Sequence, residues 1–212
     1  MNALDRVLRE VRACQHCADL PLGPRPVLIA RPEARLLIAG QAPGTKVHES
    51  GIPWNDASGD RLRDWLGLDR ATFYEHPRIA IVPMGFCYPG RDANGGDKPP
   101  RPECAPKWRA RVLDRLPRLE LVLAIGGYAQ AWHLGSRVKP ALWQTVAAWR
   151  EYAPDAIPLP HPSWRNTAWM RRHPWFEAEV LPELRARVHA LLNERDASRQ
   201  PRRPVQDTRQ TA

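Results

Sequence analysis

Hydrophobic residues along this chain follow two patterns, short uninterrupted runs and longer segments that repeat every three or four residues. The runs have the length of β-strands and occupy 36–39, 79–84, 121–127 and 156–160. The repeating segments have the spacing of amphipathic helices and occupy 3–13, 58–67, 106–116, 127–134 and 175–194. Strands that alternate with helices predict a parallel sheet covered on both faces. We therefore predict a single-domain α/β fold, a three-layer αβα sandwich around a four-stranded parallel sheet.

The first strand leads directly into the glycine turn Gly40-Gln41-Ala42-Pro43-Gly44. Its two glycines allow a tight turn that a ligand can approach closely. Binding sites of open α/β sheets lie in the loops after the carboxyl ends of the strands. The turn is equally compatible with an ordinary strand-to-helix connection. The polar stretch 45–60 that follows contains Gly51 and Pro53, and we predict it to be a long loop over this edge of the sheet.

Composition and charge narrow the class of protein. The chain has 212 residues, of which 43% are hydrophobic, enough for one domain with a substantial core. Its net charge of +9 comes mostly from arginine, which suits a polyanionic partner, although arginine-rich composition is also common without one. No hydrophobic run could span a membrane, and the first ten residues resemble an amphipathic helix rather than a signal peptide.

We accordingly expect a soluble, cytoplasmic monomer that makes no contact with a membrane. The domain should span 1–194. Residues 195–212 are charged and lack hydrophobic periodicity, and we predict them to be a disordered basic tail.

The four cysteines are the most specific countable feature of the sequence. Cys14 and Cys17 form a C-x-x-C pair after the first helix, whereas Cys87 and Cys104 are distant single residues. Cytosolic proteins rarely keep structural disulfides, so these thiols favour a metal or cluster site. The spacing matches no zinc ribbon, which has a second close pair, and it suits a [4Fe–4S] cluster. Zinc or unliganded thiols remain alternatives.

Several motifs, in this order along the chain, resemble those of the uracil-DNA glycosylase superfamily. They are the glycine turn 40–44, the segment Ser50-Gly-Ile-Pro-Trp54, a cysteine at the end of the second strand, and His161-Pro-Ser163 after the fourth. The resemblance spans about residues 10–190 and is closest to the iron–sulfur (family 4) type. It implies that the four cysteines hold a [4Fe–4S] cluster and that the partner is DNA with a damaged or deaminated base.

The resemblance also implies a role for each residue near the motifs. Trp54 would stack on a base flipped out of DNA, although a core tryptophan is the alternative. His161 would stabilise the departing base by donating a hydrogen bond. The other implied base contacts are Gln41, Ala42 and Gly85. The implied DNA contacts are Gly44, Ser163, Trp164 and Arg165, with Trp164 or Arg165 filling the gap left by the base.

Two positions depart from the family pattern. Pro83 replaces an asparagine that reads the uracil edge, and proline cannot make those side-chain hydrogen bonds. Val47 replaces an acidic residue, which leaves His48, Glu49 or Asp56 to orient the attacking water. The substrate could thus be a base other than uracil.

Two hypotheses from different classes follow from this pattern. The first is a DNA glycosylase of base-excision repair, and the second is a non-catalytic iron–sulfur DNA-binding protein of the same fold. A base- or nucleotide-handling activity outside DNA is a further alternative.

Overall fold

The four predicted strands form one parallel sheet, as seen in a computed structural model that describes residues 2–93 and 95–193. The strands are β1 (Leu36–Ala39), β2 (Ile79–Ile81), β3 (Leu121–Ile125) and β4 (Ala156–Leu159). Their order across the sheet is β2-β1-β3-β4, and every neighbouring pair is parallel. The predicted fold class, a single-domain αβα sandwich, is confirmed.

Helices surround this sheet and precede or follow each strand. They are α1 (Ala3–Arg12), α2 (Thr45–Ser50), α3 (Ala57–Leu66), α4 (Arg70–Glu75), α5 (Ala110–Leu113), α6 (Gly127–Leu134), α7 (Leu142–Ala147), α8 (Thr167–Arg172) and α9 (Leu181–Asn193). Two π-helical turns, Ala105–Arg109 and Phe176–Val180, lead into α5 and α9.

The alternation of side chains along β1 explains the three layers. Leu36 and Ile38 point to one face, where they join a hydrophobic core built with α3 and α9. Leu37 and Ala39 point to the other face and join a second core built with α1 and α5. All four residues of the strand are fully buried, as expected for a parallel strand covered on both sides.

The edge of the sheet at β2 is covered by the proline-rich segment before β1. Ile29 pairs antiparallel with Ile81, and the Val27 amide donates to the Phe86 carbonyl at 2.8 Å. The prolines of this segment exclude a regular helix, and the chain is extended there. It occupies an edge that would otherwise expose unpaired backbone groups.

The prediction of a continuous loop at 45–60 is wrong. Residues 45–50 form α2, which Gly51 ends with a left-handed backbone at φ 69°. Gly51 therefore acts as a helix C-cap rather than a loop signal. The next helix, α3, begins at Ala57, one residue before the predicted range, because Asp56 caps it by accepting from the Gly59 amide at 2.8 Å.

The predicted second strand is longer than the strand observed. β2 ends at Ile81, and Pro83 has no amide to donate. The Val82 and Met84 amides still bond to the Ile38 and Gly40 carbonyls, so the segment continues beside the glycine turn.

The six-residue helices α4, α7 and α8 were not predicted. The predicted tail, 195–212, lies outside the described residues.

Candidate active site and cysteine cavity

The glycine turn and Trp54 fit against one another at the carboxyl end of β1. A Cβ atom at Gly40 would come within 2.8 Å of the Trp54 ring. Trp54 is the only non-glycine among the described residues with a positive φ, 57°. Its carbonyl oxygen accepts from the Arg63 guanidinium at 3.2 Å and from the Tyr74 hydroxyl at 3.1 Å. A side chain at Gly59 would overlap that same oxygen, so the chain fixes this strained backbone from several sides.

His161 follows β4 and completes this group. The ring centroids of Trp54 and His161 are 5.5 Å apart at an interplanar angle of 35°. The Asn166 side-chain amide donates to the His161 carbonyl at 2.7 Å. Burial lowers the pKa of His161, and the Asp56 carboxylate acts more weakly in the opposite direction. The imidazole is therefore neutral at neutral pH. We call Gly40, Trp54 and His161 the mouth.

The three residues expected to orient water are not equivalent. The charge of Asp56 acts on His161 and raises its pKa. Oδ1 of Asp56 also caps α3. His48 is buried on α2 near Tyr88, with ring centroids 6.2 Å apart. Glu49, the next residue, is exposed, and its carbonyl accepts from Arg25 at 2.9 Å. The structure thus places Asp56 by the mouth.

The residues expected to contact the base lie together beside the turn. The Gly85 amide donates to the Gln41 carbonyl at 2.9 Å, and a Cβ at Gly85 would lie 3.6 Å from that of Ala42. The Gln41 side chain donates to the Lys98 carbonyl at 2.9 Å, so it holds the following loop. Pro83 and Val47, the two departures from the pattern, are both buried.

Asp97, which the sequence did not single out, also lies at this edge of the sheet. A Cβ at Gly44 would be 3.5 Å from Asp97 Oδ2. Partial burial raises the pKa of Asp97, and the Arg91 and Arg165 charges offset this in part. The amide of the next residue, Lys98, donates to the Gly90 carbonyl at 2.8 Å. The only sequence signal is a pair of aspartates around Gly95-Gly96, which is typical of any turn.

Three of the four residues expected to contact DNA lie in the segment after His161, and the fourth, Gly44, is the N-cap of α2. Trp164 is 75% exposed, the largest exposed fraction among the large hydrophobic side chains of the described residues. The Arg165 guanidinium lies 5.7 Å from the centre of the Trp164 ring and donates to the Gly95 carbonyl at 2.9 Å. The Ser163 carbonyl accepts from Arg61 at 2.9 Å. We call Trp164 and Arg165 the wedge.

The four cysteines, which are unbridged, line one cavity beside α1 and the π-helical turn before α5. We call this group the cysteine cavity. Amide and indole N–H groups point at its sulfur atoms. The Trp108 indole donates to Cys14 at 3.2 Å and the Phe86 amide to Cys104 at 3.4 Å, and the Arg25 backbone also bonds to Cys87.

The cysteine thiols influence one another. Burial raises the pKa of Cys87 to about 12 and that of Cys104 to about 11, and Cys14 and Cys17 raise both further. Among residues 2–93 and 95–193, no three His, Cys, Asp or Glu side chains are grouped closely enough to hold a single metal ion.

The fold and the mouth together define a class of protein, an α/β domain with its candidate active site at the carboxyl edge of a parallel sheet. The model of the uracil DNA glycosylase superfamily matches residues 28–185, and the chain belongs to this superfamily. Members of the superfamily act on DNA and hydrolyse N-glycosyl bonds, so a DNA glycosylase-like function follows at this coarse level. Cys14 and Cys17 lie before the matched range.

One similar solved structure is the solution NMR structure of a candidate uracil DNA glycosylase from Methanosarcina acetivorans. It is 18% identical, and the match covers 76% of this chain and 94% of that chain with a TM-score of 0.42. The family assignment rests on the sequence match.

No helix in the described part of the chain is both long and hydrophobic enough to cross a membrane.

Proposed function

We propose that this protein is a DNA glycosylase that flips a deaminated or damaged base out of DNA and releases it by hydrolysis. The observation that carries the proposal is the pairing of the Trp54 and His161 rings beside the glycine turn. A flipped base needs an aromatic face for stacking and a hydrogen-bond donor for the charge that develops as it leaves. The mouth offers both.

The chemistry assigned to the mouth begins with the indole of Trp54, which holds the base by stacking. The backbone amides of Gln41 and Ala42 would donate to a base carbonyl. As the N-glycosidic bond breaks, the electron pair moves onto the base, and an N–H of neutral His161 donates to the resulting oxyanion. Water adds to the sugar carbon and gives up a proton, which the base anion takes up through solvent, and this completes hydrolysis. A neutral imidazole is a very weak acid, so it donates this hydrogen bond without transferring its proton to the base.

Orientation of the attacking water falls to Asp56 in this proposal. Its Oδ1 is held by the Gly59 amide at 2.8 Å, and Oδ2 would accept from the water. Asp56 is the only one of the three expected residues whose charge acts on His161. Asp97 is the second carboxylate at this edge and is the next residue to test.

The buried Pro83 supports a substrate range wider than uracil. It supplies no side-chain hydrogen bond, and the side-chain amide of Gln41 already donates to the Lys98 carbonyl. Recognition of the base would then rest on backbone groups and stacking, which discriminate less among bases than a side chain placed for one edge. Uracil, hypoxanthine and xanthine are therefore proposed substrates.

We also propose that the cysteine cavity binds a [4Fe–4S] cluster, as in the iron–sulfur type of the superfamily. The four thiols line one cavity, and four cysteine thiolates are the ligand set of a [4Fe–4S] cluster. The N–H groups directed at Cys14, Cys87 and Cys104 are typical of such sites. The cluster would join α1 to the segment 87–104.

The alternative is a DNA-binding protein of this fold without catalysis. The burial of Val47 and Pro83 favours it, because neither position can supply the polar group found in the family pattern. One experiment separates the two functions. Oligonucleotides with a single uracil, hypoxanthine or xanthine are incubated with excess protein and then cleaved with alkali.

Strand cleavage in at least one of these substrates, and none in a normal oligonucleotide, is the expected result. DNA binding without any cleavage would support the non-catalytic alternative. Absence of both binding and cleavage would contradict both functions.

A further inference from the structure

Three aromatic rings outside the mouth form a series that reaches the surface between α7 and α8. Trp169 and His173 are stacked, with ring centroids 4.6 Å apart and an interplanar angle of 19°. His173 Nδ1 donates to the Trp169 carbonyl at 2.9 Å, which fixes the imidazole. Trp143 adds a third ring, 5.7 Å from His173. We call these three residues the aromatic stack.

The outer end of the aromatic stack has no role in the hydrophobic core. Trp169 packs against the core through Phe176. Trp143, in contrast, belongs to no hydrophobic cluster among the described residues, and 45% of it is exposed. Its neighbour Leu142 is 38% exposed. An exposed indole backed by a fixed ring is a surface on which another flat ring can stack.

The position and charge of α8 indicate the ligand. The helix begins two residues after Arg165 of the wedge and ends next to His173. Its six residues span about 9 Å at 1.5 Å per residue, roughly three stacked nucleotides at 3.4 Å each. Arg171 and Arg172 in its last turn are exposed, and α7 carries no charged side chain. Arginines beside an aromatic surface suit a phosphate chain with accessible bases.

We propose that Trp143, supported by His173, is a stacking site for an unpaired nucleotide of the DNA strand held by the wedge. This inference rests on the proposed action on DNA. A base inside a duplex has both faces covered by its neighbours, so only an unpaired nucleotide can stack on Trp143. The site would therefore favour target bases in or next to single-stranded DNA, such as gaps and overhangs.

The test compares two fluorescently labelled DNAs with the same target base. One is a blunt duplex and the other is the same strand left single-stranded around the target. Binding is measured by anisotropy for wild type, Trp143→Ala, Trp143→Phe and Leu142→Ala. Trp143→Ala should weaken binding to the single-stranded DNA roughly tenfold, the effect of losing one stacked base, and leave the duplex within about twofold. Trp143→Phe should restore most of the affinity.

Leu142→Ala is the matched control, since it shortens the exposed neighbour without removing a ring, and it should bind both DNAs like wild type. Equal losses on both DNAs for Trp143→Ala would overturn the inference. Unchanged binding to both would also overturn it. If wild type binds neither DNA, the proposed function fails first. If wild type binds and releases a base while Trp143→Ala behaves identically, only this inference fails.

Discussion

The mouth and the cysteine cavity differ in what holds their side chains in place. Trp54 is fixed by the polypeptide itself, through hydrogen bonds to its carbonyl and the lack of a side chain at Gly59. The cysteine cavity brings together four thiols from three segments of the chain, and burial raises the pKa of Cys87 and Cys104. The mouth should therefore keep its shape without any ligand, whereas the cysteine cavity should depend on the group it binds.

Loss of one cysteine should have the largest effect on stability. Cys87→Ser should abolish the brown colour expected of wild-type protein, because the cluster would lose a ligand. The free energy of unfolding should fall by roughly 3 kcal/mol or more, since a tightly bound group stabilises only the folded state. Absorption spectra, iron analysis and chemical denaturation measure these changes. Colourless wild-type protein with stoichiometric zinc would contradict the cluster assignment.

A methyl group at Gly59 should change the structure of the mouth and leave the cysteine cavity unchanged. In Gly59→Ala the new Cβ overlaps the Trp54 carbonyl, so the backbone of Trp54 must shift. We expect a destabilisation of about 1–3 kcal/mol and a large loss of base release, with colour and iron content unchanged. Gly127→Ala is the matched control, because a Cβ there meets no atom within 4 Å. Base release at the wild-type rate by Gly59→Ala would show that Trp54 is not fixed as described.

The smallest predicted effect is a pH dependence of stability that arises outside the mouth and the cysteine cavity. His133 is buried beside Arg109, with His133 Nε2 2.6 Å from Arg109 Nη2. Burial, and then the Arg109 charge, lowers the pKa of His133 well below its ordinary value. Burial lowers the pKa of Arg109 to about 9, which leaves it charged at neutral pH and makes Arg109 the donor to His133. The folded protein therefore resists protonation at His133.

Because the unfolded chain takes up this proton near pH 6.5, stability should fall as the pH decreases below about 6.5. His133 should contribute up to about 1.4 kcal/mol per pH unit. His133→Gln keeps an acceptor for Arg109 and should flatten the curve, whereas His189→Asn, at an exposed position, should not. Denaturant unfolding between pH 5 and 8, a range of about three units around the ordinary histidine pKa, measures both. Identical slopes for wild type and His133→Gln would contradict this assignment.

Much of the fold could be predicted from hydrophobic periodicity, because β1 is buried on both faces and the longer helices each bury one. Short elements escaped prediction. The six-residue α2, α7 and α8 contain fewer than two helical turns and carry little periodic signal. Gly51 was also ambiguous, since the same residue ends a helix or marks a loop. The structure shows that Gly51 ends a helix and does not mark a loop.

The candidate site shows the same limit. Sequence motifs indicated Trp54 and His161, which the structure brings together, but they could not rank His48, Glu49 and Asp56. Consecutive helical residues point about 100° apart, so a difference of one position places His48 inside and Glu49 in solvent. Asp97 was missed because its approach to Gly44 depends on how a glycine-rich loop folds back over the turn. Such a contact leaves no periodic trace in the sequence.

The central claim is that neutral His161 stabilises the departing base, and single-turnover base release by His161→Ala tests it most directly. A fixed donor at this position is worth about 3 to 4 kcal/mol, or two to three orders of magnitude in rate. The account predicts at least about a hundredfold slower release by His161→Ala, with duplex binding nearly unchanged. His189→Ala, at an exposed position, should match wild type in both. Equally fast release by wild type and His161→Ala would contradict the account and leave Asp56 or Asp97 to carry the catalysis.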